Sequence, residues 1–209
     1  MTHRLTLVRH GQSVANRDGV VQGHLDSPLS DLGRRQAGAL AAAWKADGVR
    51  FDHLLCSPLL RARQTAEVFA LSLGLDFETD GVWMERDLGR AQGMPLADFL
   101  AASHRQPAVT PFEPTFESGE SAWELHARAA RAVQGVLRRL PGEYLIVSHG
   151  GLLNAVLRVA LGIPPTAQRA PRFHLSNGGY ARIALAGDGS WALTDLVNAV
   201  ADATEEDEA

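Results

Sequence analysis

The sequence predicts an α/β fold, a three-layer α/β/α sandwich around a mostly parallel central sheet. Three observations carry that expectation. Apolar runs at Leu5 to Val8, Phe51 to Cys56 and Tyr144 to Val147 have the length of buried strands. Segments with helical spacing and helix-start signals separate them. Strands that alternate with helices in this way build sheets covered on both faces.

The first run stops at Arg9-His10-Gly11-Gln12-Ser13, as a buried strand ending in a glycine turn does. After a loop, Ser30 is placed to cap a helix reaching about Asp47, with Leu32, Gln36, Leu40 and Trp44 at helical spacing. Beyond the second run, Ser57 supplies an N-cap and Pro58 a first helical position for a helix to about Leu73. Asp76 to Thr79 is strand-like, and Pro95 opens a short helix. Residues 105–119 hold prolines at 107, 111 and 114 and little periodicity, which suits a lid or binding loop. Ser121 and Glu124 form a capping box for a helix to about Leu140, and Gly150-Gly151 starts another. Two further strands are expected at 172–176 and 179–185. No repeat or linker calls for a second domain, so residues 1–201 read as one domain, followed by an acidic tail, 202–209, expected to be disordered.

Composition narrows the function classes. A chain of 209 residues with 45% hydrophobic content can bury roughly 70% of the surface its unfolded form exposes. Its net charge of −4 and pI of 6.0, with no run of Lys and Arg, exclude an overall basic nucleic-acid module. A small partner is expected. Lys45 is the one lysine among 20 basic residues, so arginine is a chain-wide preference and a single arginine is weak evidence of function. Cys56 is the only cysteine, which excludes an intramolecular disulfide and reads as a small buried hydrophobe in a reducing cytoplasm. The apolar run begins within four residues of Met1, leaving no room for a signal peptide. No apolar segment approaches the ~20 residues of a membrane span. A soluble, cytoplasmic protein is expected.

In parallel sheets, ligands bind beyond the carboxyl ends of the strands, where helix N-termini offer N–H groups to anions. Arg9 and His10 close the first expected strand, Arg61 lies in the first turn of the helix after the second, and His149 closes the third. Neutral imidazole can attack phosphorus, and guanidinium forks match phosphate oxygens. The four together describe a phosphate pocket. Arg-His-Gly and Ser-His-Gly-Gly set each imidazole beside small residues, where a phosphate can approach the backbone. His3, His24, His53, His104, His126 and His174 lack such a context and read as structural.

At these residues the sequence resembles the histidine phosphatase superfamily, the phosphoglycerate mutase-like enzymes, from Leu5 to about Tyr180. Five blocks occur in the family's order, at residues 7–16, 22–33, 57–66, 119–121 and 147–150. The resemblance implies a phosphoglycerate mutase-like domain in which His10 becomes phosphorylated while Arg9, Arg61 and His149, followed by Gly150, hold the transferring phosphoryl group. Asn16 would add a contact, and Gln22 and Gly23 would line the phosphate approach. Glu85 would be the acid, with Asp87 next in line; Gln92 stands where many relatives carry an acid. Glu120 would pair with a pocket arginine and Ser121 would cap its helix, neither being catalytic. Positive neighbours disfavour a second proton on His10 and stabilise the equatorial oxygens during in-line transfer. The implied chemistry needs neither metal nor cofactor. Homodimers are common in the family.

The function expected is phosphomonoester hydrolysis on a small phosphorylated metabolite, through a phosphohistidine. The alternative is a phosphoglycerate mutase using the same His10 chemistry. Cofactor-dependent mutases of the family carry a longer, basic insertion after the acid-bearing loop; here that interval is short and holds Arg86, Arg90, His104 and Arg105 but also Met94, Pro107, Val109, Phe112 and Phe116. A non-catalytic phospholigand-binding module predicts a broken catalytic set, and the set is intact. Neither a Gly-x-Ser-x-Gly elbow nor a His-Glu-x-x-His motif occurs.

Overall fold

The strands are β1 (Arg4–Arg9), β2 (His53–Cys56), β3 (Phe77–Thr79), β4 (Glu143–Ser148), β5 (Tyr180–Leu185) and β6 (Trp191–Val197). The helices are α1 (Val14–Arg17), α2 (Asp31–Ala46), α3 (Leu60–Leu73), α4 (Leu96–Arg105), α5 (Ala122–Leu137) and α6 (Gly150–Ala160). These come from a computed structural model that describes residues 2–105, 110–166 and 171–198. The acidic run 202–209 and part of the expected binding loop, residues 106–109, lie outside the described residues.

The six strands form one sheet in the order β3-β2-β4-β1-β5-β6. β3, β2, β4 and β1 run parallel, while β5 lies antiparallel to β1 and β6 antiparallel to β5. The site-bearing part is therefore the parallel one. Alternation along the strands splits the core: Leu5, Leu7, Tyr144 and Ile146 face α5 and α6, and Val8, Leu54, Cys56, Leu145 and Val147 face α2 and α3. Cys56 is buried, and burial pushes its thiol up to about 12, so it stays protonated and packs as a hydrophobe. Among the described residues no helix is long and apolar enough to cross a membrane.

The structure corrects four expectations. The segment 172–176 is not a strand, because side chains take its backbone groups. Asn154 Oδ1 accepts from Phe173 N–H, Asn154 Nδ2 donates to Phe173 O, and Arg9 donates to Leu175 O. The strand pairing with β5 is instead β6, announced by Asp188-Gly189 between two apolar runs, a hairpin signal. Ser57 does not cap α3, whose N-cap is Leu59. The first free N–H, Leu60, goes to Asp26 Oδ1 at 2.7 Å, which leaves the Ser57 hydroxyl for another partner. In α2, Ser30 caps as expected, but the buried stripe is Gly33, Ala37, Ala41 and Trp44 rather than the row starting at Leu32. Finally, α5 stops at Leu137 rather than Leu140.

The small residues of α2 have a steric cause. A Cβ on Gly33 would stand 2.0 Å from Gln12 O, and one on Gly11 would stand 2.3 Å from Gly33 O. The helix start and the turn after β1 thus touch backbone to backbone. Ordinarily Gly→Ala inside a helix stabilises by about 1 kcal/mol. Here the obstacle is main chain and cannot swing away, so Gly33→Ala is expected to destabilise by about 2–3 kcal/mol. Urea unfolding tests this; a stabilised variant would contradict the close approach.

Candidate active site

Parallel register brings the strand ends level, with Arg9 opposite Ser148 and Cys56 opposite Val147. The residues that follow are His10, His149 and Ser57, so neighbouring strands deliver these side chains to one place. His10 N–H bonds Ser148 O and Ser57 N–H bonds Val147 O, both at 3.0 Å, extending the ladder by one rung. The His10 and His149 ring centroids are 5.1 Å apart. His10, Arg61 and His149 are all buried.

The hydrogen bonds assign the His10 tautomer. Nδ1 lies 2.7 Å from Gly11 O, an acceptor only, so it carries the proton and donates. Nε2 lies 3.2 Å from Arg61 Nε, a donor only, so it presents its lone pair. Burial, then the charges of Arg61 and Arg9, hold this imidazole well below the usual histidine range, against a weaker opposing effect of the Gly11 carbonyl. His10 is therefore neutral with Nε2 unprotonated, the form a nucleophile needs.

Around it, cationic and neutral donors converge. Arg61 also donates to Gly23 O at 2.8 Å and Leu25 O at 2.9 Å, which leaves one hydrogen on each terminal nitrogen for a ligand. Burial lowers its guanidinium to about 10, partly offset by Glu85 and Asp26, so it remains charged at neutral pH. Arg9 Nη1 donates to Leu175 O at 2.8 Å, while its buried Nε has no partner. In His149, Nε2 meets Ser57 Oγ at 2.8 Å. That hydroxyl also accepts Leu59 N–H at 3.2 Å; when it donates its own proton to Nε2, the His149 ring carries its hydrogen on Nδ1. Burial and nearby Arg61 keep His149 well below the usual range. Its Nδ1 is also buried and without a partner. Two orphan donors in one cluster of buried cations form a ready acceptor site for an anion.

Glu85 enters from the irregular segment after β3. Its carboxylate accepts from Gly151 N–H at 3.1 Å and Leu152 N–H at 3.0 Å at the start of α6, and from Arg86 N–H at 2.8 Å. A helix N-terminus favours such a negative group. Its charge is felt by both Arg9 and Arg61. Asp87 is turned away, accepting from Gly89 N–H within its own loop at 2.8 Å. A Cβ on Gly151 would stand 2.5 Å from Glu85 Oε1, so an alanine there would push the carboxylate aside rather than clash with main chain. Gly151→Ala should keep or raise the melting temperature but lower kcat/KM on alkyl phosphates about 10-fold, a modest misplacement of a catalytic group. Unchanged turnover would mean that Glu85 does not act from this position.

The remaining expected residues support the cluster. Asn16 closes a capping box with Ser13, and its Oδ1 also accepts from Asn177 Nδ2 at 3.2 Å. Gln22 accepts from Ser13 Oγ at 2.8 Å, Gly23 offers its carbonyl to Arg61, and Gly150 opens α6 beside Arg9 Nε. Glu120 does pair with an arginine, Arg128, and Ser121 caps α5. Gln92 bonds His24 N–H and packs against Gly23.

Sequence reasoning missed several residues here. Ser57 meets His149, Asn177 Nδ2 donates to His10 O at 3.1 Å, and Thr65 Oγ1 accepts Gly11 N–H at 3.1 Å. His24, read as structural, bonds the Glu85 carbonyl through Nε2 at 2.7 Å. Asn177-Gly178-Gly179 before β5 was a usable turn signal; nothing in the chain distinguished Arg128 from its other arginines. Among the described residues, no three His, Cys, Asp or Glu side chains are grouped to hold a metal ion.

Known proteins resemble this chain in sequence and in fold. The family model described as histidine phosphatase superfamily (branch 1) matches residues 5–199. A Yersinia enterocolitica protein named probable phosphoglycerate mutase GpmB is 34% identical over 181 residues, which are 85% of this chain and 82% of that one. Among solved structures, one called mycobacterial hydrolase 1 superposes with a TM-score of 0.78 at 28% identity, covering 96% of this chain and 100% of its own. A mycobacterial glucosyl-3-phosphoglycerate phosphatase, solved with VO3, gives a TM-score of 0.78 at 26% identity over 94% of this chain and 100% of its own.

Proposed function

This chain belongs to the histidine phosphatase superfamily, and on that footing we propose that it hydrolyses phosphomonoesters of small metabolites through a phosphohistidine on Nε2 of His10. The observation that carries the reading is the unprotonated Nε2 of a buried, neutral His10 set among Arg61, Arg9 and His149. Nε2 attacks phosphorus in line with the ester oxygen. Arg61, the Nε of Arg9 and the Nδ1 of His149 take the three equatorial oxygens as charge spreads over them. Glu85 takes up the proton of the phosphomonoester monoanion as substrate binds, gives it to the departing alkoxide, then removes one from the water that attacks the phosphohistidine. Asn16 adds a donor at the entrance, and Gln22, Gly23 and Gly150 hold the pocket's shape. Protein and substrate together supply every proton and charge in this sequence, so the proposed reaction needs no metal or cofactor.

The names of the relatives favour substrates that carry a phosphoglycerate unit. Mutase activity is the second reading, and the name of the Yersinia relative favours it. Against it stands the interval after Glu85. Arg86 is committed to Thr115 Oγ1 and Glu120 O, and Arg90 to Glu117. The interval is also short, where cofactor-dependent mutases of the family carry a longer, basic insertion. Nearby, Phe99 stacks on Phe116 and Phe112 packs on Trp123. A small phosphorylated metabolite as partner, a cytoplasmic location and a homodimer complete the proposed description.

The test is phosphate release from a panel of esters, including 3-phosphoglycerate and p-nitrophenyl phosphate, in excess chelator. Release unaffected by the chelator is expected. Phosphoglycerate equilibration faster than release from every ester would transfer the assignment to the mutase; silence in both assays would favour a binding module.

A further inference from the structure

We propose that Arg128, on α5, is a positioning residue that aims Glu85; the proposal rests on the reading of Glu85 as the acid. A guanidinium has five N–H donors in a fixed plane, and in Arg128 all five are engaged. Nε and one Nη2 hydrogen bind both oxygens of Glu120, at 2.8 and 2.6 Å. Nη1 donates to Val82 O at 3.1 Å and Met84 O at 2.6 Å, and Nη2 donates to Glu85 O at 3.1 Å. The ion pair is shielded, its two side chains only 14% and 13% exposed.

One side chain therefore fixes the backbone of the acid-bearing segment from Val82 to Glu85. The opposite end of the same residue, the Glu85 carboxylate, rests on the start of α6 through Gly151 and Leu152. Helices α5 and α6 pack on each other. Arg128 thus sets the span between the Glu85 backbone and the helix end that its carboxylate touches. His24 adds a second donor to the Glu85 carbonyl, but it binds that one atom, whereas Arg128 binds three carbonyls. A lysine has its donors on one atom and cannot reach five acceptors. With the clamp loosened, the segment shifts while His10, Arg61 and His149 stay in place, since none of them is bonded to Arg128. An ångström of misplacement costs about 100-fold in a positioned step.

This predicts a signature that a general loss of stability does not produce. An alkoxide leaving group needs a proton from Glu85, and p-nitrophenolate leaves without one. The ratio kcat/KM reports steps through the first phosphoryl transfer, before water enters. Arg128→Lys should therefore lower kcat/KM for glycerol 3-phosphate about 30- to 100-fold and for p-nitrophenyl phosphate under about 3-fold. Glu120→Gln should move the same ratio in the same direction by less, and it replaces Arg128→Lys if that variant does not fold. Glu85→Gln is the control. If Glu85→Gln shows no leaving-group discrimination, the acid reading fails and this proposal with it. If Glu85→Gln discriminates while the folded Arg128 or Glu120 variant lowers both esters equally, or neither, the positioning role is overturned and the acid reading stands.

Discussion

His10→Ala is expected to lower kcat by at least about 10⁴-fold on every ester, about 5 kcal/mol of transition-state stabilisation. The size follows from what is removed: without Nε2 no covalent intermediate forms, and Arg9, Arg61 and His149 can only bind the phosphate. Acid-labile phosphate trapped on the wild type during turnover should be missing from the variant. If it persists, the nucleophile is elsewhere. The same residue gives a pH prediction. Burial and two arginines depress the His10 pKa, so protonation removes the nucleophile only below the usual histidine range, and His10 stays active through pH 6.5. Imidazole ¹⁵N spectra at pH 6.5 should show a neutral ring with hydrogen on Nδ1. An imidazolium there would mean that Arg61 and Arg9 do not act on it as described.

Arg61→Ala should have the second largest effect, on two observables. Loss of a preorganised donor that meets developing charge costs about 10²–10³-fold in kcat. Folding stability should fall by about 2–4 kcal/mol, since Gly23 O and Leu25 O lose their partner near a buried site. Arg61→Lys restores charge but not the fork, so it should recover stability better than activity. There is also a linked pH effect. Arg61 is the largest charge lowering the His10 pKa, so removing it raises that pKa and protonates more of the nucleophile in acid. The variant's deficit relative to wild type should grow from pH 8 to pH 5.5, a ratio from which the substrate's own ionisation cancels. A ratio flat with pH would contradict direct coupling between the two side chains.

Much of this was legible in the sequence, for local reasons. Short apolar runs meant buried strands, Ser30 and Ser121 capped helices where their spacing said, and Arg9, His10, Arg61 and His149 lay at strand ends or at a helix start. Residues at the carboxyl ends of parallel strands meet because register makes them meet, so the four converge as expected. Two of the misreadings share a cause. Local signals at Ser57 and at residues 172–176 were outcompeted by partners distant in sequence, Asp26 for the start of α3 and Asn154 and Arg9 for the segment before β5.

The sequence by itself thus determined the fold class, the family and the chemical types at the site, because periodicity, capping and motif order are written along the chain. Only the tertiary structure decided the His10 tautomer, the seat of the Glu85 carboxylate on the start of α6, the contact of Ser57 with His149, and the bonds of Arg128 to the segment that carries Glu85. Apart from the His10–Gly11 contact, each rests on a hydrogen bond between residues tens of positions apart, and in an arginine-rich chain no local pattern says which guanidinium reaches which carbonyl. Sequence can supply the donors and acceptors; packing the two helix layers on the sheet selects the pairs.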